Sequence, residues 1–288
     1  MNESIPPIAR NTVSFGALTP FLLISFGLAW GILALFIFLP EFATALFGNL
    51  TGQHPLFYLC VYSPAIAAVV LVARYGRAYG LRRFFSRVLL WRCSPWWYAF
   101  LLVGIPAVFY VGAALKGGLS GDLLPFDTLQ ALGTATLLSV IKGPVEEFGW
   151  RGFALPLLQQ RFAPVWGGLI LGGIWGFWHL PVFLLGGMQQ SDWAFAPFLV
   201  GCLAISVIAT ALFNDSNGSI LLSAAFHFML MNPVFPEADP YDSYILVLLA
   251  LSLLWKRRTV MFSRTGAYVD VVPPRPHSVT SSPAAASS

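Results

Sequence analysis

Apolar residues gather into long runs along this chain, one after another, and several approach the ~20 residues that a helix needs to cross a bilayer. The runs are 21–39, 56–73 and 96–115, then 165–185, 195–213, a short one at 220–231, and 244–255. Between the third and the fifth lies an irregular one, made of 129–141 and 153–158 on either side of a charged stretch. The pattern predicts an all-α fold, a polytopic transmembrane helical bundle of about eight spans. The first run is too long for the apolar core of a signal peptide and has no clear small-residue cleavage site, so it is read as a span.

The polar positions between runs test that count. Arg74, Arg77, Arg82, Arg83, Arg87 and Arg92 follow the second span, Arg161 the fourth, and Lys256, Arg257, Arg258, Arg264 and Arg275 the eighth. With eight spans all of these share a side with Arg10. The opposite loops hold Lys116 as their one basic residue, with Glu41, Asp122, Asp127, Asp192, Glu237, Asp239 and Asp242. Basic residues mark the cytoplasmic side, so both termini are expected in the cytoplasm, with the protein in a plasma (inner) membrane. In the 74–93 loop, Leu81, Phe84, Phe85, Val88 and Leu89 fall at helical spacing beside the arginines. An amphipathic helix on an anionic leaflet and an ordinary basic loop both fit.

Composition agrees. Of 288 residues, 57% are hydrophobic and 10% charged, with a mean hydropathy of +0.75, whereas soluble domains are about a quarter charged. Cys60, Cys93 and Cys202 are scattered and read as small core residues. The domain reading is a cytoplasmic segment at 1–20, N-terminal spans over 21–128, a core at 129–232, a last span at 233–258 and a disordered cytoplasmic tail at 259–288, rich in Pro, Ser and Ala. The expected partners are membrane lipids and a membrane-associated peptide or protein; no nucleic-acid partner is expected.

The candidate chemistry lies at membrane depth: Lys142, Glu146, Glu147 and Arg151 in the fourth span, His179 in the fifth and His227 in the seventh. Ionisable groups in hydrocarbon are costly, and turning them toward one another satisfies them best. Gly143-Pro144 should break the fourth helix and start a second half-helix, with both glutamates in its first turn, where the helix dipole favours negative charge. Glu147 and Arg151 are four apart and share a face, while Glu146 points about 100° away. One carboxylate can then be structural and the other available as a base, although a wholly structural ion cluster also fits.

Three chemistries use these parts. Glu146 could draw a proton from water attacking an amide, with histidines placing the water and steadying the oxyanion. Alternatively Glu146, His179 and His227 could hold zinc, although no H-E-x-x-H is present. In a transporter the same groups would relay protons or bind an ion. A serine nucleophile finds no support, since there is no G-x-S-x-G.

These residues resemble the CAAX prenyl endopeptidase and bacteriocin-processing, abortive-infection-like membrane proteases. The family's Glu-Glu-x-x-x-Arg is matched by Glu146, Glu147 and Arg151, after Pro144 and before Gly152. Its Phe-x-x-x-His is matched by Trp175 to His179, with Trp in place of Phe, and its His-x-x-x-Asn by His227. Four residues past His227 stands Met231; the asparagine, Asn232, comes one residue late. The resemblance covers 129–232 and implies an intramembrane endopeptidase without a cofactor. In it Glu146 activates water, His179 positions that water, His227 with Asn232 serves the oxyanion, and Glu147 with Arg151 supports them. The implied substrates are prenylated CAAX-like or bacteriocin-type. A non-catalytic immunity or membrane-binding protein on the same scaffold is the alternative, and a small transporter the third.

Overall fold

A computed structural model describes residues 13–118 and 126–274. Residues 1–12 of the expected 1–20 segment, Asp122 and the tail from Arg275 lie outside the described residues, while a turn at Phe15–Ala17 and the start of the Leu18–Phe38 helix occupy the rest of that segment. Every regular element among those described is helical. The helices are α1 (Leu18–Phe38), α2 (Pro40–Phe47), α3 (Pro55–Phe85), α4 (Ile105–Lys116, entered through a π turn at Phe100–Gly104), α5 (Leu129–Ile141), α6 (Gly143–Gly149), α7 (Pro164–Trp178), α8 (Phe195–Asp215), α9 (Ile220–Leu230) and α10 (Tyr241–Lys256). Five stretches, at Phe15–Phe38, Pro55–Leu89, Pro95–Lys116, Pro164–Leu184 and Phe195–Asp215, are long and apolar enough to cross a membrane. The other three segments are shorter or broken, and the protein is an integral membrane bundle of about eight crossings. Large apolar side chains such as Phe38, Leu102 and Leu248 point outward, as befits surfaces facing acyl chains.

Two seams place the centre of the bundle. Along α7, Gly168, Gly172 and Gly176 face α8 at a spacing of four. A Cβ on Gly172 would come within 2.9 Å of Cys202 O, Leu203 Cα and Ser206 Cβ, and one on Gly168 within 2.8 Å of Thr210 Oγ1. Small residues let two backbones meet with no side-chain layer between them, the common way to join helices in lipid. The second seam sets α6 against α3, where Gly149 lies under Pro64, whose backbone carbonyl would be 2.5 Å from an added Cβ.

The basic segment at 74–93 is not a loop. Helix α3 runs through it to Phe85, bent at Arg77 (φ 53°), and continues as a 3-10 turn at Ser86–Leu89. Arg87 is fully buried, donating to Gly218 O (2.8 Å), Gly152 O (2.7 Å) and Val271 O (3.0 Å) beside the rings of Phe84, Phe213 and Tyr268. The expectation of disorder from 259 also fails as far as Pro274. A short helix at Arg258–Met261 and a turn at Arg264–Gly266 lead into a strap with Val271 and Val272 buried. Side chains stitch its backbone down: Gln159 Nε2 donates to Tyr268 O (2.8 Å), Tyr268 N–H to Asn214 Oδ1 (3.0 Å) and Gln160 Nε2 to Val269 O (3.4 Å). Hydrogen bonds to the main chain ask nothing of the strap's own side chains, so a stretch that ends in two prolines reads as loose although it is held.

Candidate active site

The fourth crossing breaks where its sequence says it should. Helix α5 ends at Ile141, Lys142 adopts a non-helical conformation (φ −95°, ψ −91°), and α6 starts at Gly143 with Pro144 in its first turn. Proline is at home there because its missing N–H would have had no intrahelical partner. Gly143 also admits α9: a Cβ on it would lie 2.2 Å from Met231 Sδ and 2.7 Å from His227 Nε2. The histidine ring can rest against α6 only because that position has no side chain. After Gly149 the helix widens into a π turn at Trp150–Ala154, which carries Arg151, and then resumes at Leu155–Gln159. Such turns often mark functional sites.

The two glutamates have different surroundings, though both are buried, at 4% and 1% exposed. Glu147 Oε1 accepts from Arg151 Nη1 at 2.7 Å, the pairing predicted from their spacing, and from His227 Nδ1, also at 2.7 Å. Glu146 meets no cation directly. Its Oε2 accepts the indole N–H of Trp175 at 3.0 Å and that of Trp150 at 3.3 Å, and among the described residues no donor reaches Oε1.

Trp175 is the hub. Its ring lies edge-on to His179 (5.3 Å between centroids) and to His227 (5.5 Å), and Arg151 sits over it at 5.1 Å. His179 is not at mid-helix: it caps α7, where the chain tightens into a 3-10 turn at Leu180–Leu184 ahead of Pro181. Its Nδ1 donates to Trp175 O at 2.8 Å, which leaves Nε2 as the free nitrogen. Trp178 edges both His179 and Trp150 (4.8 and 5.8 Å), and Trp30 on α1 donates to Trp178 O at 3.0 Å, so the first crossing braces the site.

Glu146, Glu147, Arg151, His179 and His227 are thus brought together, linked directly or through Trp175. Lys142 is not among them; its ammonium lies over the Tyr58 ring at 5.7 Å. Asn232 follows the end of α9, and its Oδ1 accepts Val234 N–H at 3.1 Å, closing a turn ahead of the cluster. No three His, Cys, Asp or Glu side chains among the described residues are grouped to hold a metal ion. Sequence reasoning missed both indole donors and the bond from His227 to Glu147. Trp150, four residues beyond Glu146, was the one signal available.

The cluster is poorly saturated. Glu147 Oε2 and Arg151 Nε and Nη2 are buried without a hydrogen-bond partner in the structure. Unmade hydrogen bonds of this kind typically cost about 1–3 kcal/mol each. A group of side chains optimised only for stability would not leave three in one place, and such sites call for a functional explanation.

A family model for the type II CAAX prenyl endopeptidase Rce1-like proteins matches residues 128–232. A Methanococcus maripaludis protein named CAAX prenyl protease 2 is 24% identical over 184 residues, covering 58% of this chain and 67% of that protein. The matched region runs from the cap of α5 to Asn232 and so contains both carboxylates, the arginine, both histidines and both indoles. That match is carried by the segment that builds the buried cluster, and over it the chain is similar to the Rce1-like type II CAAX prenyl endopeptidases.

Proposed function

We propose that the protein hydrolyses a peptide bond in a membrane-associated substrate through water activated by Glu146. The observation that carries this reading is the asymmetry of the two carboxylates. Glu147 is tied to Arg151 and His227, whereas Glu146 is held by neutral indoles on one oxygen alone. A general base needs a lone pair free of cations and a fixed position.

In this reading a water lies between Glu146 Oε1 and His179 Nε2, which accepts one of its hydrogen bonds. Glu146 takes the other proton as the oxygen attacks the carbonyl carbon of the scissile amide. His227 faces Glu147 through Nδ1, and in this reading its Nε2 side serves the forming oxyanion. The tetrahedral species collapses as Glu146 returns its proton to the departing nitrogen, breaking the C–N bond and leaving a carboxylic acid and an amine; the acid's proton then passes to the amine, giving a carboxylate and an ammonium. Asn232 Nδ2 is a second oxyanion donor only if the turn at Val234 opens.

The name of the Methanococcus relative suggests a prenylated C-terminal CAAX sequence as the substrate class, a lipidated peptide already at the membrane. The deciding experiment compares the membrane proteins of cells carrying the wild type with those of cells carrying Glu146→Gln, together with cleavage of a farnesylated CAAX peptide in micelles. Accumulated uncut partner and an uncut peptide in the variant support the reading. Full function in Glu146→Gln overturns it and favours a binding or immunity role.

A further inference from the structure

Trp175 reaches Glu146 from another crossing, 29 residues on, and Trp150 reaches it from the next turn of the same helix. Both indole N–H groups meet the same atom, Oε2, at 3.0 and 3.3 Å. Trp150 is fully buried and Trp175 5% exposed, and neither indole nitrogen has another acceptor. Packing alone does not demand this arrangement. The edges that Trp175 turns to His179 and His227, and the face it turns to Arg151, would be available on a phenyl ring; the N–H is the part that only an indole supplies. Two donors arriving from different elements fix both where Oε2 lies and the plane of the carboxylate. Rotation of the carboxylate about its last bond would break both, and the fixed plane decides where the Oε1 lone pairs point.

We infer that Trp175, with Trp150 in support, is a positioning residue that pins Glu146 by Oε2 and so aims Oε1 at the reacting water. The inference rests on the reading of Glu146 as the base. Hydrogen bonds from neutral donors hold the carboxylate at Oε2 and leave Oε1 open.

The test uses full-length protein in micelles with a farnesylated CAAX peptide, comparing wild type, Trp175→Phe and Glu146→Gln. A second replacement at 175 with 3-benzothienylalanine keeps the bicyclic shape and puts sulfur where the N–H was, so it remains informative should the phenyl ring leave a damaging void. A hydrogen bond to a charged group, spent on holding it in the reactive orientation, corresponds to a loss of roughly 10- to 100-fold. Trp175→Phe and the sulfur isostere are each expected to lower kcat by that factor with KM and melting temperature unchanged. Trp150→Phe should lower kcat less, in keeping with its longer contact. A merely structural role would move melting temperature or KM and would spare the isostere. Wild-type kcat in the isostere, beside an inactive Glu146→Gln, overturns the positioning role alone. Peptide left uncut by the wild type, or cut by Glu146→Gln, overturns the reading beneath it as well.

Discussion

Glu147, and not its neighbour Glu146, is the carboxylate that meets His227, with Glu147 Oε1 and His227 Nδ1 2.7 Å apart. Because Arg151 shares that oxygen, one glutamate joins the fourth crossing to the seventh while the other is left to the indoles of Trp150 and Trp175. Substitution at the two positions should therefore fail in different ways.

Glu146→Gln keeps the side-chain shape and an oxygen that the indoles can still reach. It should fold with a melting temperature within a few degrees of wild type and lose turnover by at least about 100-fold, the lower end of the range for a lost general base. Peptide hydrolysis and thermal unfolding, measured on the same preparation, check this.

Glu147→Gln should instead destabilise. It leaves the Arg151 guanidinium buried without its counter-charge, a change that typically costs about 3–5 kcal/mol. Pairing it with Arg151→Met should recover a large part of that loss, and a double-mutant cycle on unfolding would read the coupling. Simple addition of the two losses would mean that the two side chains are not coupled.

The glycine seam gives a third expectation with its own control. A Cβ at Gly172 would press on the backbone of α8, whereas one at Gly173 meets nothing nearer than Leu203 Cδ2 at 4.0 Å. Gly172→Leu should cost about 1–3 kcal/mol or more through overpacking and shift Trp175 and His179 with the helix. Gly173→Ala should be silent in both stability and activity.

Arg87 supplies a fourth. It satisfies three main-chain carbonyls, one of them Val271 O in the C-terminal strap. Arg87→Met should destabilise by about 3 kcal/mol or more, because it strands buried acceptors. It should also make the 268–274 strap susceptible to limited proteolysis, where the wild type resists.

Activity should survive phenanthroline treatment and dialysis, since each proton transfer in the proposed reaction is assigned to a side chain. Loss of turnover that zinc restores would put the metal scheme in its place.

Much of the site was legible in the sequence because its logic is local. The spacing of Glu147 and Arg151, the break at Gly143-Pro144 and the three crossings that carry ionisable groups all follow from helical geometry and the cost of charge in lipid. What was not legible depends on approach between helices. The indole of Trp175 reads as one more aromatic in an apolar run, and only the packing of α7 beside α6 turns its N–H into a partner for Glu146. Arg87 reads as a loop or leaflet-facing charge because a lone arginine rarely goes fully inside, and the carbonyls that satisfy it appear in no side-chain pattern. The same holds for the strap, whose anchors Gln159, Gln160 and Asn214 lie far from it in the chain.

The contact of α7 with α8 along Gly168, Gly172 and Gly176 bears on traffic. Two main chains in van der Waals touch have no intervening layer that could slide or swing aside, so this joint is a wall and not a door. In the proposed reaction, a peptide arriving sideways from the bilayer would have to enter past some other pair of helices, and Trp175 and His179, mounted on the fixed wall, would stay still while it does.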